Sequence, residues 1–270
     1  MTWYAIFCVR DSVKSIKQVI DSLLNQSISP MQINIIDDGS SDGTKEIIES
    51  YHDVKSIKIF ETCSKTRDYS RLPSMWNMGL EKRHFFHMIG AGDVTYEKDY
   101  AEILLNEFEV DRKLVTASGD FDDMNISSPH GAGRFVRQDF FHRYVGQYKT
   151  IVGYESEILF QALMNGYKNK VFPNAKMYHH EKLGGGHKFS EWGWGMRSLG
   201  YHPLYVLGRC ALAFYKNQDV GRMGALNMLY RYMTFKQTGG YFQYFPKPTR
   251  KAISDYQVKY MKDKIRGVLK

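Results

Sequence analysis

The chain has 270 residues, of which 43% are hydrophobic and 24% charged, a balance that is typical of a folded globular protein and excludes a disordered chain. The formal net charge is +8, and eight Lys or Arg against two Asp between Lys247 and Lys270 give a net +6, so only the C-terminal end is strongly basic. Three widely spaced cysteines without a Cys-x-x-Cys motif indicate neither a zinc ribbon nor a disulfide framework and favour a reducing, cytoplasmic setting.

The sequence predicts neither a signal peptide nor a membrane-spanning helix. The apolar start, residues 2–9, is short and lacks a basic leader. The most apolar later stretch, residues 204–214, is interrupted by Arg209 and is far shorter than the roughly 20 residues that span a bilayer.

The N-terminal part alternates strand-like and helix-like patterns. Residues 3–9 are typical of a buried strand, and Ile33, Ile35 and Ile36 predict a second one. Between them, apolar residues recur at three- and four-residue steps and predict a helix with the buried stripe Val13, Ile16, Val19, Ile20, Leu23 and Leu24. After the second strand, a polar turn leads into a helix with Ile47, Ile48 and Tyr51 on one face.

The polar turn contains two adjacent carboxylates, Asp37 and Asp38, at the end of a buried strand. In open α/β sheets, ligands bind in the crevice beyond the carboxyl ends of the strands, so this pair is well placed to meet one. The alternative is that both residues only end the strand, while Asp42 or Thr44 caps the next helix. We expect Asp42 and Thr44 to have that local role and the Asp37–Asp38 pair to bind a ligand.

The remaining elements follow at short intervals. Further strands are predicted at residues 56–60, 85–89, 113–117, 134–137 and 170–172, and helices from about Pro73, over 97–108 and from about Glu155. Residues 118–133 contain Pro129 and three glycines and predict a long irregular loop. A later apolar stripe favours a packed helix, with an in-plane membrane contact as the alternative, and comprises Met223, Leu226, Tyr230 and Met233.

The string Asp37-Asp38-Gly39-Ser40-Ser41-Asp42-Gly43-Thr44 resembles the Asp-Asp-Gly-Ser-x-Asp-Gly-Thr signature of the family 2 glycosyltransferases. That resemblance covers about residues 3–200. It implies a GT-A fold, an α/β Rossmann-like mixed and mostly parallel sheet flanked by helices. We therefore expect a GT-A domain over residues 1–200 and a helical, basic C-terminal extension over 201–270. Members of this family transfer sugars from nucleotide diphosphates with inversion.

The resemblance also implies a set of nucleotide-binding residues. In the family, the acidic turn binds the base and ribose of the donor, which assigns this role to Asp37 and Asp38. Arg10 and Asp11 occupy the turn after the first strand, where the family usually has Tyr-Asn-Ser, and Asp11 either contacts the nucleotide, caps the next helix or does both. Where the family has an Arg-Asn-x-Gly run, this chain has Trp76, so Arg67 or Arg71 is expected to supply the charge.

The metal site that the family builds on an Asp-x-Asp element is reduced here. The chain has Gly90-Ala91-Gly92-Asp93, which is closer to the Asn-Ala-Gly-Asp of some members and keeps one carboxylate, Asp93. Hard divalent ions such as Mn²⁺ or Mg²⁺ readily take one or two protein oxygens together with diphosphate and water. His179 or His180 is the further ligand that the resemblance implies. The alternatives are a Gly-Asp turn without a metal and a structural histidine pair.

A catalytic carboxylate is implied by Gly153-Tyr154-Glu155, which resembles the family's Gly-Glu-Asp-x-x-Leu at the start of a helix. Glu155 takes the place of the catalytic Asp, and Glu157 is its competitor. Both also have a structural explanation, because acidic residues are favoured in a first helical turn. Two residues apart, they cannot share a helix face, so we expect one to face a ligand and the other water.

The expected activity is transfer of a sugar from a UDP- or GDP-sugar to a hydroxyl of a glycan or a lipid-linked acceptor. An inactive sugar-nucleotide-binding subunit is the alternative, and a nucleotidyltransferase is a weaker one. The basic tail contains no nucleic-acid-binding module. It is instead expected to dock a cytoplasmic protein on the anionic inner face of the cell membrane, with the apolar contacts Ile253, Tyr256, Tyr260 and Ile265.

Overall fold

A computed structural model describes residues 1–121, 128–180, 190–216 and 221–268. The chain forms two compact units, the first from residues 1–148 and 161–183 and the second from residues 149–160 and 184–270. The boundary predicted at residue 200 lies inside the second unit.

The described strands all belong to the first unit and are β1 (Trp3–Val9), β2 (Gln32–Asp37), β3 (Ile57–Glu61), β4 (Phe86–Ala91), β5 (Val94–Tyr96), β6 (Leu114–Phe121), β7 (Gly133–Arg137) and β8 (Lys168–His179). The described α-helices are α1 (Ile16–Leu24), α2 (Thr44–Glu49), α3 (Leu72–Met78), α4 (Tyr100–Val110), α5 (Gln138–Tyr144), α6 (Tyr154–Met164), α7 (Ser190–Ser198), α8 (Pro203–Lys216), α9 (Gly221–Thr234) and α10 (Lys247–Val268).

The strands form one mixed sheet in the order β3-β2-β1-β4-β7-β6-β8-β5. The pairs β1–β2, β2–β3, β1–β4 and β6–β8 are parallel, whereas β4–β7, β6–β7 and β5–β8 are antiparallel. The predicted fold class, a mixed and mostly parallel α/β sheet with additional C-terminal helices, is confirmed. The chain runs outward from β1 to β2 and β3 and returns to β4 on the other side of β1, so the order reverses between β1 and β4, where such sheets bind ligands.

The core of the first unit follows the predicted apolar pattern closely. All residues of β1 except Cys8 are buried, and α1 buries Ile16, Val19, Ile20 and Leu23 against the sheet. Val13 is an exception, with 37% of its surface exposed, because α1 begins only at Ile16 and Val13 lies in the preceding turn.

The interpretation of residues 118–133 as a loop is wrong at its start. Strand β6 continues to Phe121 and is buried throughout. The predicted short strand at 170–172 is likewise too short, since β8 runs from Lys168 to His179. The β6–β8 ladder shifts register at Gly119/Asp120, so β8 continues beyond Pro173 with residues 173–175 outside the regular pairing.

Strands β6 and β8 approach each other closely at this register shift, and the approach requires the glycine at position 119. A side-chain carbon on Gly119 would lie 2.0 Å from the carbonyl oxygen of Ala175, which no side chain tolerates. Glycine and proline normally signal a loop, and here they allow two strands to remain paired around an irregularity. The short strand β5 and the helix α5 had no clear signal in the sequence.

The second unit is helical in its described part, and its surface differs from the prediction. The apolar stripe of α9 faces solvent: Met223 is 76% exposed and Met233 64%. The helix packs instead through Ala225, Met228 and Tyr232, so the interpretation of the stripe as a packed face is wrong. In α10, Ile253 is fully buried and cannot make the predicted membrane contact, and the side chain of Ile265 lies outside the described residues. Among the described helices, none is long and apolar enough to cross a membrane.

Candidate functional site

Three parallel strands bring their following turns to one edge of the sheet. In the register of these strands, Val9 pairs with Asp37, and Cys8 pairs with Ala91. The turns that begin at Arg10, Asp38 and Gly92 therefore start side by side, next to the point where the strand order reverses. Four of the eight predicted nucleotide and metal residues lie in these turns, namely Arg10, Asp11, Asp38 and Asp93, and Asp37 is the last residue of β2.

Asp37 and Asp38 are nearly buried, with 3% and 4% of their surface exposed. The carboxylate of Asp37 accepts hydrogen bonds from the backbone N–H of Ser40 at 3.2 Å and from its hydroxyl at 2.5 Å. These bonds fold the turn back onto the end of β2. Gly39 has a φ of 74°, and a side chain there would collide with the backbone of Ser64.

The carboxylate of Asp38 is held by a fork of donors. Arg71 donates from Nη2 to Oδ2 at 2.6 Å and from Nε to Oδ1 at 3.3 Å, while the hydroxyl of Thr62 donates to Oδ1 at 2.8 Å. The guanidinium of Arg10 approaches from the other turn, donating to the backbone carbonyl of Asp38 and lying 3.9 Å from its carboxylate. The bond to Asp38 raises the pKa of Arg71 further above its ordinary value. The structure thus brings Arg10, Asp38 and Arg71 together.

Asp11 joins the first turn to the second. Its φ of 50° is left-handed, and its carboxylate accepts the N–H of Ser41 at 2.9 Å. It does not cap α1, whose N-cap residue is Ser15 and whose N-terminus receives no capping side-chain bond. Of the interpretations left open for Asp11, the helix cap is therefore wrong.

Asp42 has the local role expected of it. Its carboxylate accepts the N–H of Thr44, the first residue of α2, at 3.0 Å and the N–H of Val13 at 3.1 Å. Partial burial raises the pKa of Asp42, but the hydrogen bonds from Thr44 and Val13 outweigh it and leave that pKa below its ordinary value. The residue fastens the two turns together.

The space around the turn after β4 explains the missing carboxylates. A side-chain carbon on Gly92 would lie 2.8 Å from Cγ2 of Val9, and one on Gly90 would lie 3.0 Å from the hydroxyl of Tyr96. An aspartate at either position would require these neighbours to move. In addition, Ser15 donates to the carbonyl of Gly92 at 3.0 Å and fixes the turn against the start of α1.

Asp93 and His179 meet where β5 pairs with the end of β8. Nδ1 of His179 lies 3.1 Å from Oδ2 of Asp93, and the two side chains are 13% and 20% exposed. That nitrogen has no partner of hydrogen-bond geometry within the described residues, so the two atoms are close without being bonded to each other. The neighbouring His180 is exposed; its backbone N–H donates to the carbonyl of Asp93 at 2.8 Å and its Nε2 lies 3.1 Å from Oγ1 of Thr95.

One aromatic ring packs against His179, and a second packs against the first. The ring of Phe121 lies 5.1 Å from it, and His130 meets Phe121 edge-on at 4.8 Å. Both residues lie in the stretch interpreted as a loop, so sequence reasoning missed them. Over the described residues, no group of three or more His, Cys, Asp or Glu side chains converges as a complete metal site.

Glu155 lies in the first turn of α6, in the second unit, whereas Asp93 belongs to the first. The helix follows Gly153, whose φ of 99° strains any side chain, and a side-chain carbon there would lie 3.0 Å from the carbonyl oxygen of Gly195. Glu155 is half-buried, and Glu157 is 5% exposed. Glu155 thus has the more exposed position of the two, and which of them faces a ligand stays a prediction.

Residues 4–172, more than half of the chain, match the model of the family described as glycosyl transferase family 2. The chain belongs to glycosyl transferase family 2. One relative in this comparison is a protein of Borreliella burgdorferi named cholesterol galactosyltransferase, which is 31% identical over 115 residues. That match covers 42% of this chain and 31% of the relative, so the chain matches less than a third of the relative's length.

Solved structures similar to this family 2 member have the same fold. The mannosyltransferase PcManGT from Pyrobaculum calidifontis, in complex with GDP-Man and Mn²⁺, is 12% identical with a TM-score of 0.60, over 86% of this chain and 70% of that one. A fragment of S. aureus TarS in complex with UDP-GlcNAc is 13% identical with a TM-score of 0.58, over 86% of this chain and 72% of that one. At these identities the likeness establishes the GT-A fold.

Proposed function

We propose that this family 2 protein transfers a sugar from a nucleotide diphosphate donor to an acceptor hydroxyl with inversion. The observation that carries the proposal is the close contact of Asp93 and His179 at the sheet edge that also holds the Asp37–Asp38 turn. A metal-binding pair and an acidic nucleotide-binding turn at one edge are what a nucleotide diphosphate requires.

The nucleoside is bound by the turns after β1 and β2. Carboxylate oxygens of Asp37, Asp38 and Asp11 accept hydrogen bonds, so they fit the N–H of a base and the hydroxyls of a ribose. Arg10 and Arg71 hold these turns in place and bring positive charge to the site. Their planar guanidinium groups also suit phosphate oxygens.

A divalent cation, Mn²⁺ or Mg²⁺, would be held by Asp93 and His179. Oδ2 of Asp93 and Nδ1 of His179 are 3.1 Å apart and Nδ1 has no hydrogen-bond partner within the described residues, so both atoms would be within reach of one cation. Two protein ligands leave room for diphosphate oxygens and water, and the Mn²⁺ of the PcManGT complex supports this choice of ion. When bound, the ion neutralises charge that develops on the leaving diphosphate. His180 is the less suitable ligand, because Nε2 of its ring lies 3.1 Å from Oγ1 of Thr95.

Glu155 acts as the general base. Its carboxylate takes the proton of the acceptor hydroxyl while that oxygen bonds to the anomeric carbon and the bond from this carbon to the diphosphate oxygen breaks. A single displacement of this kind inverts the anomeric configuration. A positioned base contributes about 10²- to 10⁴-fold to such a step.

The acceptor is a glycan or a lipid, and the lipid is favoured. The Borreliella relative is named for a sterol acceptor, although the match covers only 31% of its length. A lipid acceptor places the protein on the inner face of the cell membrane, as a cytoplasmic protein in peripheral contact with it.

The test is a thermal-shift panel of UDP-, GDP- and dTDP-sugars with and without Mn²⁺, followed by release of nucleoside diphosphate on addition of a membrane lipid extract. A donor at a hundred times its dissociation constant stabilises the fold by about 2.7 kcal/mol. We expect one nucleotide class to stabilise the protein in the presence of Mn²⁺ and to be turned over. If no sugar nucleotide stabilises it, the proposal is wrong; binding without turnover supports the inactive subunit instead.

A further inference from the structure

The helices α8 and α9 each present an apolar face to solvent. On α8, Leu204 is 64% exposed, Leu207 52% and Tyr215 84%. On α9, Met223 is 76% exposed and Met233 64%, with Leu226 and Tyr230 about half exposed. These residues recur at helical spacing, so they form stripes rather than scattered surface positions.

These stripes lie opposite the faces that pack. Helix α8 buries Val206 and Cys210, and α9 buries Ala225, Met228 and Tyr232. At 100° per residue, the exposed stripes point away from those buried positions. The packing of the second unit therefore leaves them uncovered within its described residues. Apolar patches of this kind on an exposed surface mark interaction sites.

The end of α8 and the start of α9 are in contact. The guanidinium of Arg222, at the start of α9, lies over the ring of Phe214, near the end of α8, with 5.7 Å between them. Phe214 is itself 42% exposed. We call the combined exposed faces of α8 and α9 the α8–α9 face.

The described residues of helices α8 and α9 carry charges of one sign. Helices α8 and α9 contain no Asp or Glu in their described sequence, but they carry the cations Arg209, Lys216, Arg222 and Arg231. Arg209, Lys216 and Arg222 are exposed. An apolar face on helices whose own described charges are all cations is complementary to a surface with a negative outer layer above an apolar interior. A second copy of the chain would bring the same cations against these and repel them.

We propose that the α8–α9 face is a membrane-docking surface that lies in the plane of an anionic phospholipid bilayer. Each helix has 14 residues and is thus about 21 Å long, too short to span a bilayer but suited to its interface. The side chains that enter the boundary between headgroups and acyl chains are Leu204, Leu207, Tyr215, Met223, Leu226 and Met233.

Helix α10 adds mainly charge. It carries seven Lys or Arg against two Asp, and Ile253 is buried, while the predicted contact Tyr260 is 44% exposed. Its exposed Lys259 and Lys262 are available to anionic headgroups. The membrane contact expected of the tail is thereby divided: most of the apolar anchors belong to α8 and α9, and α10 adds Tyr260 and positive charge.

Docking of this kind would give the enzyme access to acceptors that never leave the bilayer, and that consequence rests on the proposed function. The docking itself does not, because partitioning into vesicles requires neither donor nor acceptor. The two can therefore fail independently.

The experiment compares two double variants of the full chain by co-sedimentation with phosphatidylcholine vesicles, with and without phosphatidylglycerol. L207Q/M223Q places one amide on each stripe. V110Q/F85Q is the matched control, because Val110 and Phe85 are 85% and 64% exposed in the first unit. Circular dichroism and donor-induced thermal shifts of each variant show that the fold and the nucleotide site are intact.

We expect wild type and V110Q/F85Q to bind vesicles that contain phosphatidylglycerol, and L207Q/M223Q to bind at least about tenfold more weakly, because burial of each large apolar side chain is worth about that factor. Added salt should weaken binding of the wild type. Equal binding of L207Q/M223Q and wild type would overturn the proposal. The proposal would also be overturned if the wild type did not bind the vesicles but formed a dimer in solution, and L207Q/M223Q were a monomer.

Discussion

Nδ1 of His179 lies 3.1 Å from Oδ2 of Asp93, and the backbone carbonyl of the same Asp93 accepts the N–H of His180 at 2.8 Å. The end of β8 is thus fastened to the turn after β4 by its backbone, while only one of two adjacent histidine rings reaches the carboxylate. His180 follows the last residue of β8, and its Nε2 lies 3.1 Å from Oγ1 of Thr95, so its ring is directed to Thr95 and not to the carboxylate.

This arrangement predicts that His179 and not His180 supports metal binding. In Asp93→Ala and in His179→Ala, the additional stabilisation that Mn²⁺ gives to the complex with nucleoside diphosphate should disappear. His180→Ala is the matched control and should keep it, because its exposed ring contacts Thr95. Thermal shifts with and without Mn²⁺ measure the effect. An undiminished effect of Mn²⁺ in Asp93→Ala would show that the metal binds at another site.

The ion pair of Arg71 and Asp38 should matter for stability as well as for donor binding. Arg71→Ala leaves a carboxylate that is 6% exposed without its main donor, so we expect a loss of about 2 kcal/mol in the free energy of unfolding. Urea unfolding measures this loss as a lower midpoint concentration of urea with an unchanged m-value.

The exposed pair Lys17–Asp21 is the control for that measurement. Both side chains are well exposed, and the distance between the charged atoms is the same 2.6 Å. Lys17→Ala should cost less than about 1 kcal/mol, because exposed ion pairs are screened by water. Equal losses in Lys17→Ala and Arg71→Ala would show that burial of Asp38 has no energetic consequence.

For the general base, Glu155→Gln should keep donor affinity and lower turnover by roughly 10²- to 10⁴-fold. Glu157→Gln is the matched change at a buried position of the same turn, and we expect it to affect stability more than turnover. Donor binding by thermal shift and sugar transfer are measured on both variants. Normal transfer by Glu155→Gln, with loss in Glu157→Gln, would mean that the base is two residues further along α6.

His87 should make the fold sensitive to acid. Burial, with the nearby charge of Arg134, lowers the pKa of this fully buried imidazole from 6.5 to about 3. Below pH 6.5 the unfolded chain binds a proton that the folded chain does not, so stability falls with decreasing pH until about pH 3, by up to about 1.4 kcal/mol per pH unit. His87→Gln, which keeps a polar group near the hydroxyl of Tyr148, should flatten this dependence. Unfolding followed from pH 7 to 4 on both proteins tests it, and parallel curves would contradict it.

The sequence by itself determined the local elements and the chemistry of the turns. Period-two and period-3.6 apolar patterns are local, so β1, β2, α1 and the acidic turn at Asp37–Asp38 were predictable. The eight-residue string from Asp37 to Thr44 was specific enough to indicate the family. The uneven charge of the chain was also visible without a structure.

Only the tertiary structure decided which of these groups meet. Strand β8 continues past Pro173 because β6 shifts register beside it, and this long-range pairing brings His179 to Asp93. The same applies to α9: its apolar stripe has the spacing of a packed face, but neighbouring helices cover the opposite side. Periodicity shows that a helix has an apolar face, whereas burial depends on what the rest of the chain places against it.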